Sequence, residues 1–142
     1  KFIDQVDSFE LLESKENEIF KIFVSQHKNS KGKKGKFMTK DIESYFENLL
    51  KLDGWKIYYL ETNKGVVSTA FCYESKKGCY LYNSSRNNQF NVMNPGIVLN
   101  DLIIQRLIAN DKTFFDFLKG TERYKFDLGG EPVQLYDLNV CL

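Results

Sequence analysis

The chain has 142 residues, which suits one folded domain with its own core and is short for two. Hydrophobic residues make up 42% of it, and 12 Phe and 8 Tyr supply enough large rings to exclude a disordered chain. A net charge of +1 gives no field that attracts nucleic acid or a membrane surface, and no apolar run reaches the ~20 residues of a membrane helix.

The cysteines and the histidine argue against a metal site. Cys72, Cys79 and Cys141 lack the spacing of metal ligands, and His27 is the single histidine. Reduced thiols in a cytoplasmic protein are therefore expected. The chain begins at Lys1 rather than Met, so residues 1–142 are interpreted as one domain, either alone or as the last domain of a longer, tandem-domain protein.

Two helices are predicted at the start of the chain. Apolar side chains share one helical face over residues 9–28, which predicts a first helix there. Residues 28–36 are basic, polar and rich in glycine, which predicts a mobile loop. Thr39 suits an N-cap, and apolar residues then repeat at helical spacing until Gly54, which predicts a second helix.

Three strands are predicted next, over residues 55–61, 66–74 and 79–85. Each of these stretches is rich in aromatic and β-branched residues. Turns of four residues separate them, and turns this short join antiparallel neighbours. The sequence therefore predicts a three-stranded antiparallel meander.

A helix and a parallel strand are predicted to follow the meander. Asn94 suits a cap and Pro95 suits the first helical position, and the apolar run after Gly96 predicts a well-buried helix. Residues 113–118 predict a strand, which a helical crossover of this length makes parallel to the strand before it.

A short helix over residues 121–126 and a last strand over residues 133–141 complete the predicted chain. The predicted order is α-α-β-β-β-α-β-α-β. It defines an α+β class, with a mixed antiparallel and parallel sheet flanked by helices.

Three stretches resemble the FemAB-like branch of the GNAT acyltransferases, which is related to bacterial polysaccharide-biosynthesis acyltransferases. They are HKNSKGKKGKF (residues 27–37), NPGIVLNDLII (residues 94–104) and FFDFLKGTERYK (residues 114–125). They are similar to the family's His-containing basic linker, to the Pro-Gly opening of its cofactor-side helix, and to its Asp-Phe strand end followed by Gly and Tyr-Lys. The resemblance implies a GNAT-like fold in which two parallel strands splay apart and acyl-CoA enters the gap.

The start of the predicted helix at Asn94 is the candidate cofactor site. Amides at a helix N-terminus carry positive dipole character, which suits a pyrophosphate. Gly96 has no side chain to obstruct a phosphate, which would approach the amides of Gly96, Ile97 and Val98. The alternative is that Pro95 and Gly96 form a turn that only opens a buried helix.

Further candidates flank the expected gap. Tyr124 lies where the resemblance implies the group that protonates the departing thiolate, and a tyrosine of pKa near ~10 suits that role. Lys125 would stabilise the thiolate or contact the phosphates of the cofactor. At the end of the third meander strand, near Asn83, Ser84 and Ser85, the resemblance implies a backbone amide that polarises the thioester carbonyl.

Other polar residues leave alternatives open. Asp116, in a predicted central strand, is either a base or substrate anchor, or a structural partner of Arg123 or Lys125. Glu74 is a weaker base candidate, and a solvated strand-end charge is the alternative. Arg86 would bind a substrate carboxylate or lie solvated in a loop. His27 is expected to be structural.

The predicted activity is acyl transfer from acetyl-CoA or another acyl-CoA to an amine or hydroxyl of a small molecule, peptide or saccharide. A first alternative keeps the fold and takes an aminoacyl group from tRNA to a peptidoglycan precursor, as Fem-type relatives do, with the basic residues 28–36 meeting the tRNA. A second alternative is a non-catalytic GNAT-like binding domain.

Overall fold

The computed structural model describes residues 2–142, and over these the chain forms one five-stranded mixed sheet. Its strands lie side by side in chain order, with bounds β1 (Phe9–Ser14), β2 (Trp55–Thr62), β3 (Gly65–Glu74), β4 (Gly78–Arg86) and β5 (Phe114–Asp116). The first four are antiparallel to their neighbours, and β5 is parallel to β4. The predicted fold class and the predicted meander are confirmed.

Helices cover both faces of this sheet. They are α1 (Asn17–Lys28), α2 (Lys33–Phe37), α3 (Lys40–Leu50), α4 (Pro95–Ala109) and α5 (Arg123–Asp127), with 3-10 turns at Ile3–Gln5 and Asn88–Met93. Within residues 2–142, none of the helices has the length and apolar character needed to cross a membrane.

The sheet separates two apolar clusters, one on each face. Successive side chains of a strand point to opposite faces, so neighbouring residues belong to different clusters. On β2, Ile57 faces the cluster under α1 and α3, and Tyr58 faces the cluster under α4. The α1/α3 cluster is largely aromatic, with the rings of Phe46 and Phe71 4.8 Å apart in an edge-to-face arrangement. The α4 cluster contains the buried face of the helix at Leu99, Ile103 and Leu107.

The predicted first helix is wrong over Phe9–Ser14, which forms β1. This segment pairs antiparallel with β2, where Leu11 lies opposite Leu60 and is buried. Helix propensity favours Leu and Glu by less than ~1 kcal/mol per residue, and pairing with the edge of β2 outweighs it. The helix begins only at Asn17.

The connection between α1 and α3 is more ordered than the predicted mobile loop. It contains the short helix α2, and a Cβ on Gly35 would lie 2.1 Å from the carbonyl oxygen of Ser30, so only glycine fits there. The predicted cap of the next helix is confirmed, because Thr39 Oγ1 accepts a hydrogen bond from the Ile42 amide at 3.3 Å.

The predicted last strand over residues 133–141 is wrong. These residues form no regular structure and are exposed. The strand before it is also shorter than predicted, because Leu118 adopts a left-handed conformation with φ 55° just after β5 ends. Apolar residues recur in 133–141, but they change strand face after Leu135, and within the described chain the segment meets no sheet edge.

Candidate active site

An open cleft separates β4 from β5 beyond a short paired region. The two strands pair only at Gly78 with Phe114, at Cys79 with Phe115 and at Tyr80 with Asp116, whereas β4 continues to Arg86. Soon after its pairing with β5 ends, β4 contains a bulge at Tyr82. Its pairing with β3 passes from Leu81 to Asn83 and leaves Tyr82 without a partner residue. Bulges bend the strand that carries them, and the cleft opens at this point.

The start of α4 lies beside this cleft, at the open end of β4. The buried Ser68 Oγ at the start of β3 donates to the Pro95 carbonyl oxygen at 3.0 Å, which pins the helix to the sheet. Asn94 adopts a left-handed conformation, φ 49° and ψ 51°, and its side chain forms no capping hydrogen bond. The prediction that the Asn94 side chain caps the helix is therefore wrong.

One backbone amide at this helix start is available to a ligand. The Asn94 carbonyl oxygen accepts from Ile97 N at 3.0 Å and from Val98 N at 3.3 Å, so these two predicted phosphate donors are already engaged. The Gly96 amide has no hydrogen-bond partner among residues 2–142. A Cβ on Gly96 would meet nothing within 4 Å, so the space on the side-chain side of this residue is open.

On the β4 side of the cleft, the Asn83 side chain holds the Ser84 amide. Asn83 Oδ1 accepts from Ser84 N at 2.7 Å and lies 2.8 Å from His27 Nε2. An amide oxygen can only accept, so His27 Nε2 carries the proton. Sequence reasoning missed this clamp, because nothing in the pattern links positions 27 and 83.

Ser85 faces away from α4. Its Oγ donates to the Phe23 carbonyl oxygen at 3.1 Å and lies within hydrogen-bond distance of Gln26 Oε1 at 3.0 Å and Thr69 Oγ1 at 2.6 Å. The side chain is buried against α1, which excludes it from contact with a ligand in this conformation.

His27 is a buried structural residue, as predicted. It is 1% exposed, and burial, together with the charge of Lys34, lowers its pKa from 6.5 to about 4. The imidazole is therefore neutral at pH 7 and donates to Asn83.

On the β5 side, Tyr124 carries a free hydroxyl. Its ring packs edge-to-face against Phe117 at 6.0 Å, and its hydroxyl has no hydrogen-bond partner in the described chain. Burial and the Glu122 carboxylate raise its pKa above the usual value. The phenol is therefore protonated at neutral pH and has a proton to give.

Lys125, predicted to stabilise the thiolate or contact the phosphates, is bonded within its own chain in this structure. It is 7% exposed, and its Nζ lies 2.8 Å from Glu122 Oε2, 3.0 Å from the Lys119 carbonyl oxygen and 3.4 Å from that of Gly120. These three acceptors match the three protons of an ammonium group. Lys125 therefore holds the turn before α5 together in this conformation.

The two carboxylate candidates are also placed differently from the predictions. Asp116 lies on an edge strand rather than a central one; it is exposed, and its Oδ1 accepts from Leu118 N at 2.7 Å. It therefore pairs with neither Arg123, whose Nε lies 3.7 Å from Asp127 Oδ2, nor Lys125.

Glu74 lies at the closed end of the sheet, opposite the cleft. It accepts a hydrogen bond from the Tyr58 hydroxyl, and Lys56 Nζ and Lys112 Nζ each lie 3.2 Å from its oxygens. Burial acts to raise its pKa, but these partners lower it overall. Glu74 is an ion-pair centre that joins β2, β3 and the turn after α4, rather than a base or a solvated charge.

Arg86 lines a cavity of about 630 Å³ between α1 and the end of β4. Lys21 and Lys64 line the same cavity, together with carboxamide side chains, and its lining contains no acidic residue. The structure thus places Arg86 at a cationic opening next to the end of β4.

Comparison with models of known protein families shows which family the chain belongs to. The model described as "Acetyltransferase (GNAT) domain" matches residues 5–126. The chain therefore belongs to the GNAT acetyltransferase family. No curated protein matches the chain by sequence.

Solved structures share the fold at low identity. A possible acetyltransferase from Clostridium difficile 630 matches with TM-score 0.71 and 12% identity, over 94% of this chain and 99% of that one. AAC(6')-Iy in complex with a bisubstrate analogue of CoA matches with TM-score 0.66 and 10% identity, over 95% and 100%. A predicted acetyltransferase with acetyl-CoA from Clostridium acetobutylicum matches with TM-score 0.63 and 12% identity, over 93% and 96%.

Proposed function

We propose that this chain transfers an acyl group from acyl-CoA to an amine or hydroxyl, by direct attack within a ternary complex. The observation that carries the proposal is the cleft where β4 leaves β5, with the unengaged Gly96 amide at its open end. Two of the solved structures described above contain acetyl-CoA or a CoA analogue on the same fold, which supports the choice of donor.

In this proposal the donor is held by the start of α4. The Gly96 amide and the positive end of the helix dipole contact the pyrophosphate, and Ser68 keeps that end in place through Pro95. Fewer amides are available than the sequence predicted, since those of Ile97 and Val98 bond to Asn94. The pyrophosphate would therefore contact one backbone amide, in the favourable field of the helix dipole, instead of the three amides that the sequence predicted.

The acyl carbonyl would lie against β4, where the Ser84 amide polarises it. That amide now bonds to Asn83 Oδ1 at 2.7 Å, so the Asn83 side chain has to turn away as the carbonyl oxygen arrives. The Ser84 amide then donates to the acyl carbonyl oxygen instead of to Asn83 Oδ1. The amide gains most when the carbonyl becomes a tetrahedral oxyanion.

Tyr124 would complete the reaction as the acid. The acceptor attacks the carbonyl carbon, the C–S bond of the tetrahedral intermediate breaks, and the CoA sulfur takes the phenolic proton. The proton lost by the acceptor nitrogen or oxygen goes to solvent, from which Tyr124 recovers its own. Asp116 remains a proposal for orienting the acceptor, because its second carboxylate oxygen is free to accept.

Within the GNAT family, we assign the chain to the FemAB-like branch on its three matching stretches alone, as one domain. The Fem-type alternative, with tRNA as the donor, rests on the basic residues 28–36. Lys28 of that stretch is paired with Glu43 at 2.7 Å, which reduces the charge available to RNA.

Calorimetric titration with acetyl-CoA tests the proposal. We expect saturable binding with one site per chain and competition by CoA, because the donor and the product share the nucleotide and the pyrophosphate. No saturable heat from a folded protein would contradict the acyl-CoA donor. Binding without turnover of any amine or hydroxyl acceptor would instead favour the non-catalytic alternative.

A further inference from the structure

Positive charge gathers at the cavity between α1 and the end of β4, which we call the cationic cavity. Its volume of about 630 Å³ is lined by Lys21 of α1, Lys64 of the turn between β2 and β3, and Arg86 at the end of β4. Small-molecule sites have volumes of ~300–1,000 Å³, so the cavity has a suitable size. Because no acidic residue lines it, these three side chains set its charge, which favours an anionic ligand.

The protein itself does not neutralise these charges. In the part of the chain that the structure describes, the Lys21 ammonium and the Arg86 guanidinium form no hydrogen bond or ion pair. Lys64 Nζ donates to the Gln5 carbonyl oxygen at 2.8 Å, a neutral acceptor that leaves the positive charge in place. Partial burial and the charge of Arg86 lower the pKa of Lys34 on α2, so a fourth cation lies near the same opening. An anion bound here would offset the repulsion among these groups.

The walls of the cationic cavity are joined to one another by hydrogen bonds. The buried Gln26 of α1 donates from Nε2 to the Val66 carbonyl oxygen at 3.1 Å, and its Oε1 lies 3.0 Å from Ser85 Oγ. Asn88 Nδ2 donates to the Asn29 carbonyl oxygen at 2.6 Å, which ties the turn after β4 to the end of α1. The cavity is therefore formed before a ligand arrives, as small-molecule sites usually are.

The rest of the lining suits a ligand with hydroxyl groups. The carboxamide side chains of Asn29, Asn87, Asn88 and Gln89 line the cavity. Each carboxamide offers both donors and an acceptor, as a hydroxyl requires. The Gln89 carboxamide has no hydrogen-bond partner among the described residues, so its full capacity is available. The lining therefore points to a small acid with a hydroxylated frame.

The cationic cavity lies close to the proposed position of the acyl carbonyl. Arg86 follows Ser84 on β4 by two residues, which is ~7 Å along a strand. The proposed donor contact at Gly96 is on α4, which packs on the opposite face of the sheet from α1. A molecule in the cavity would thus approach the Ser84 amide from the side that the donor leaves free, as the acceptor of a ternary complex must.

We propose that the cationic cavity binds the anionic group of the acceptor, a phosphate or a carboxylate, and so selects small hydroxylated acids as acceptors. Arg86 pairs with two oxygens of the anion, and Lys21 and Lys64 add charge around it. The amine or hydroxyl of the same molecule then reaches the acyl group at Ser84. The binding of an anion stands on the cavity alone, whereas its assignment to the acceptor rests on the proposed function.

A titration with inorganic phosphate, followed by the amide shifts in nuclear magnetic resonance spectra at constant ionic strength, tests the anion site. The cavity variant carries Lys21→Gln and Arg86→Gln; the control carries Lys51→Gln and Lys76→Gln, which remove the same charge elsewhere. We expect saturable shifts at residues 86–89 in the parent and the control, and about tenfold or more weaker binding in the cavity variant. Absence of saturable shifts in the parent, or equal affinity in all three proteins, overturns the proposal.

The same titration with saturating CoA present identifies the source of the anion. We expect the phosphate affinity to stay within about a factor of two, because the donor site lies on the other face of the sheet. Loss of the phosphate shifts when CoA is added would mean that the cavity takes a phosphate of the cofactor, which overturns the assignment to the acceptor. Absence of any shift from CoA itself would contradict the proposed function and the acceptor assignment with it, while the phosphate titration still decides whether the cavity binds an anion.

Discussion

Replacing Tyr124 with Phe is expected to slow the release of CoA from acetyl-CoA about 100-fold or more, which is the usual contribution of a positioned general acid. The Phe117 contact needs only the ring, so Tyr124→Phe keeps the packing and removes the proton. The thiolate must then leave unprotonated or take its proton from water. Chromatography of CoA measures the rate, with an amine acceptor where one supports turnover and water otherwise.

The control for this experiment is Tyr59→Phe. Tyr59 is half-buried on β2, away from the cleft, so its loss of a hydroxyl is expected to leave the rate within a factor of about two. The affinity for acetyl-CoA is expected to be the same in all three proteins. Equal rates for Tyr124→Phe and the parent would remove Tyr124 from the mechanism.

Acidification is expected to destabilise the fold through His27 by up to about 3 kcal/mol. The pKa is about 4 in the folded chain, against 6.5 for an ordinary histidine. Between these values the unfolded chain binds the proton and the folded chain does not, so stability falls as the pH falls. The contribution is fully present above pH 6.5 and is lost progressively down to about pH 4.

The variant His27→Gln isolates this effect from the carboxylates, which titrate in both proteins. Glutamine offers an N–H to Asn83 and has no proton to gain. Denaturant unfolding measured from pH 7 to pH 4 is expected to show a steeper loss in the parent than in the variant. Parallel curves for the two proteins would mean that His27 does not titrate in this window.

The parts of the fold that were predicted correctly depend on local patterns. The meander follows from aromatic and β-branched runs between short turns, and α3 follows from its apolar repeat after Thr39. The failures at Phe9–Ser14 and at residues 133–141 concern segments whose structure is decided by which sheet edge is available. The periodicity of a single sequence does not show which sheet edge is available to a segment.

The candidate site shows the same limit of prediction from sequence, now for individual side chains and amides. Tyr124 and Lys125 are adjacent and were predicted together, but the phenol is unpaired and the ammonium has three acceptors. Similarly, Ile97 and Val98 were predicted as phosphate donors, and a left-handed Asn94 engages both amides through its carbonyl. Residue type predicts what a group can bond to, and only the folded backbone shows whether it is already bonded.

The central claim, that acyl-CoA is held at the start of α4, is tested most directly by calorimetry with Gly96→Asp and Gly96→Ala. A Cβ at this position meets nothing within 4 Å, and an acidic residue in the first turn suits the helix dipole, so both variants are expected to fold. We expect near-parental acetyl-CoA affinity for Gly96→Ala and about tenfold weaker binding for Gly96→Asp, because a carboxylate then faces the pyrophosphate. Equal affinity in the parent and in both variants would contradict it, since the phosphates would then bind elsewhere.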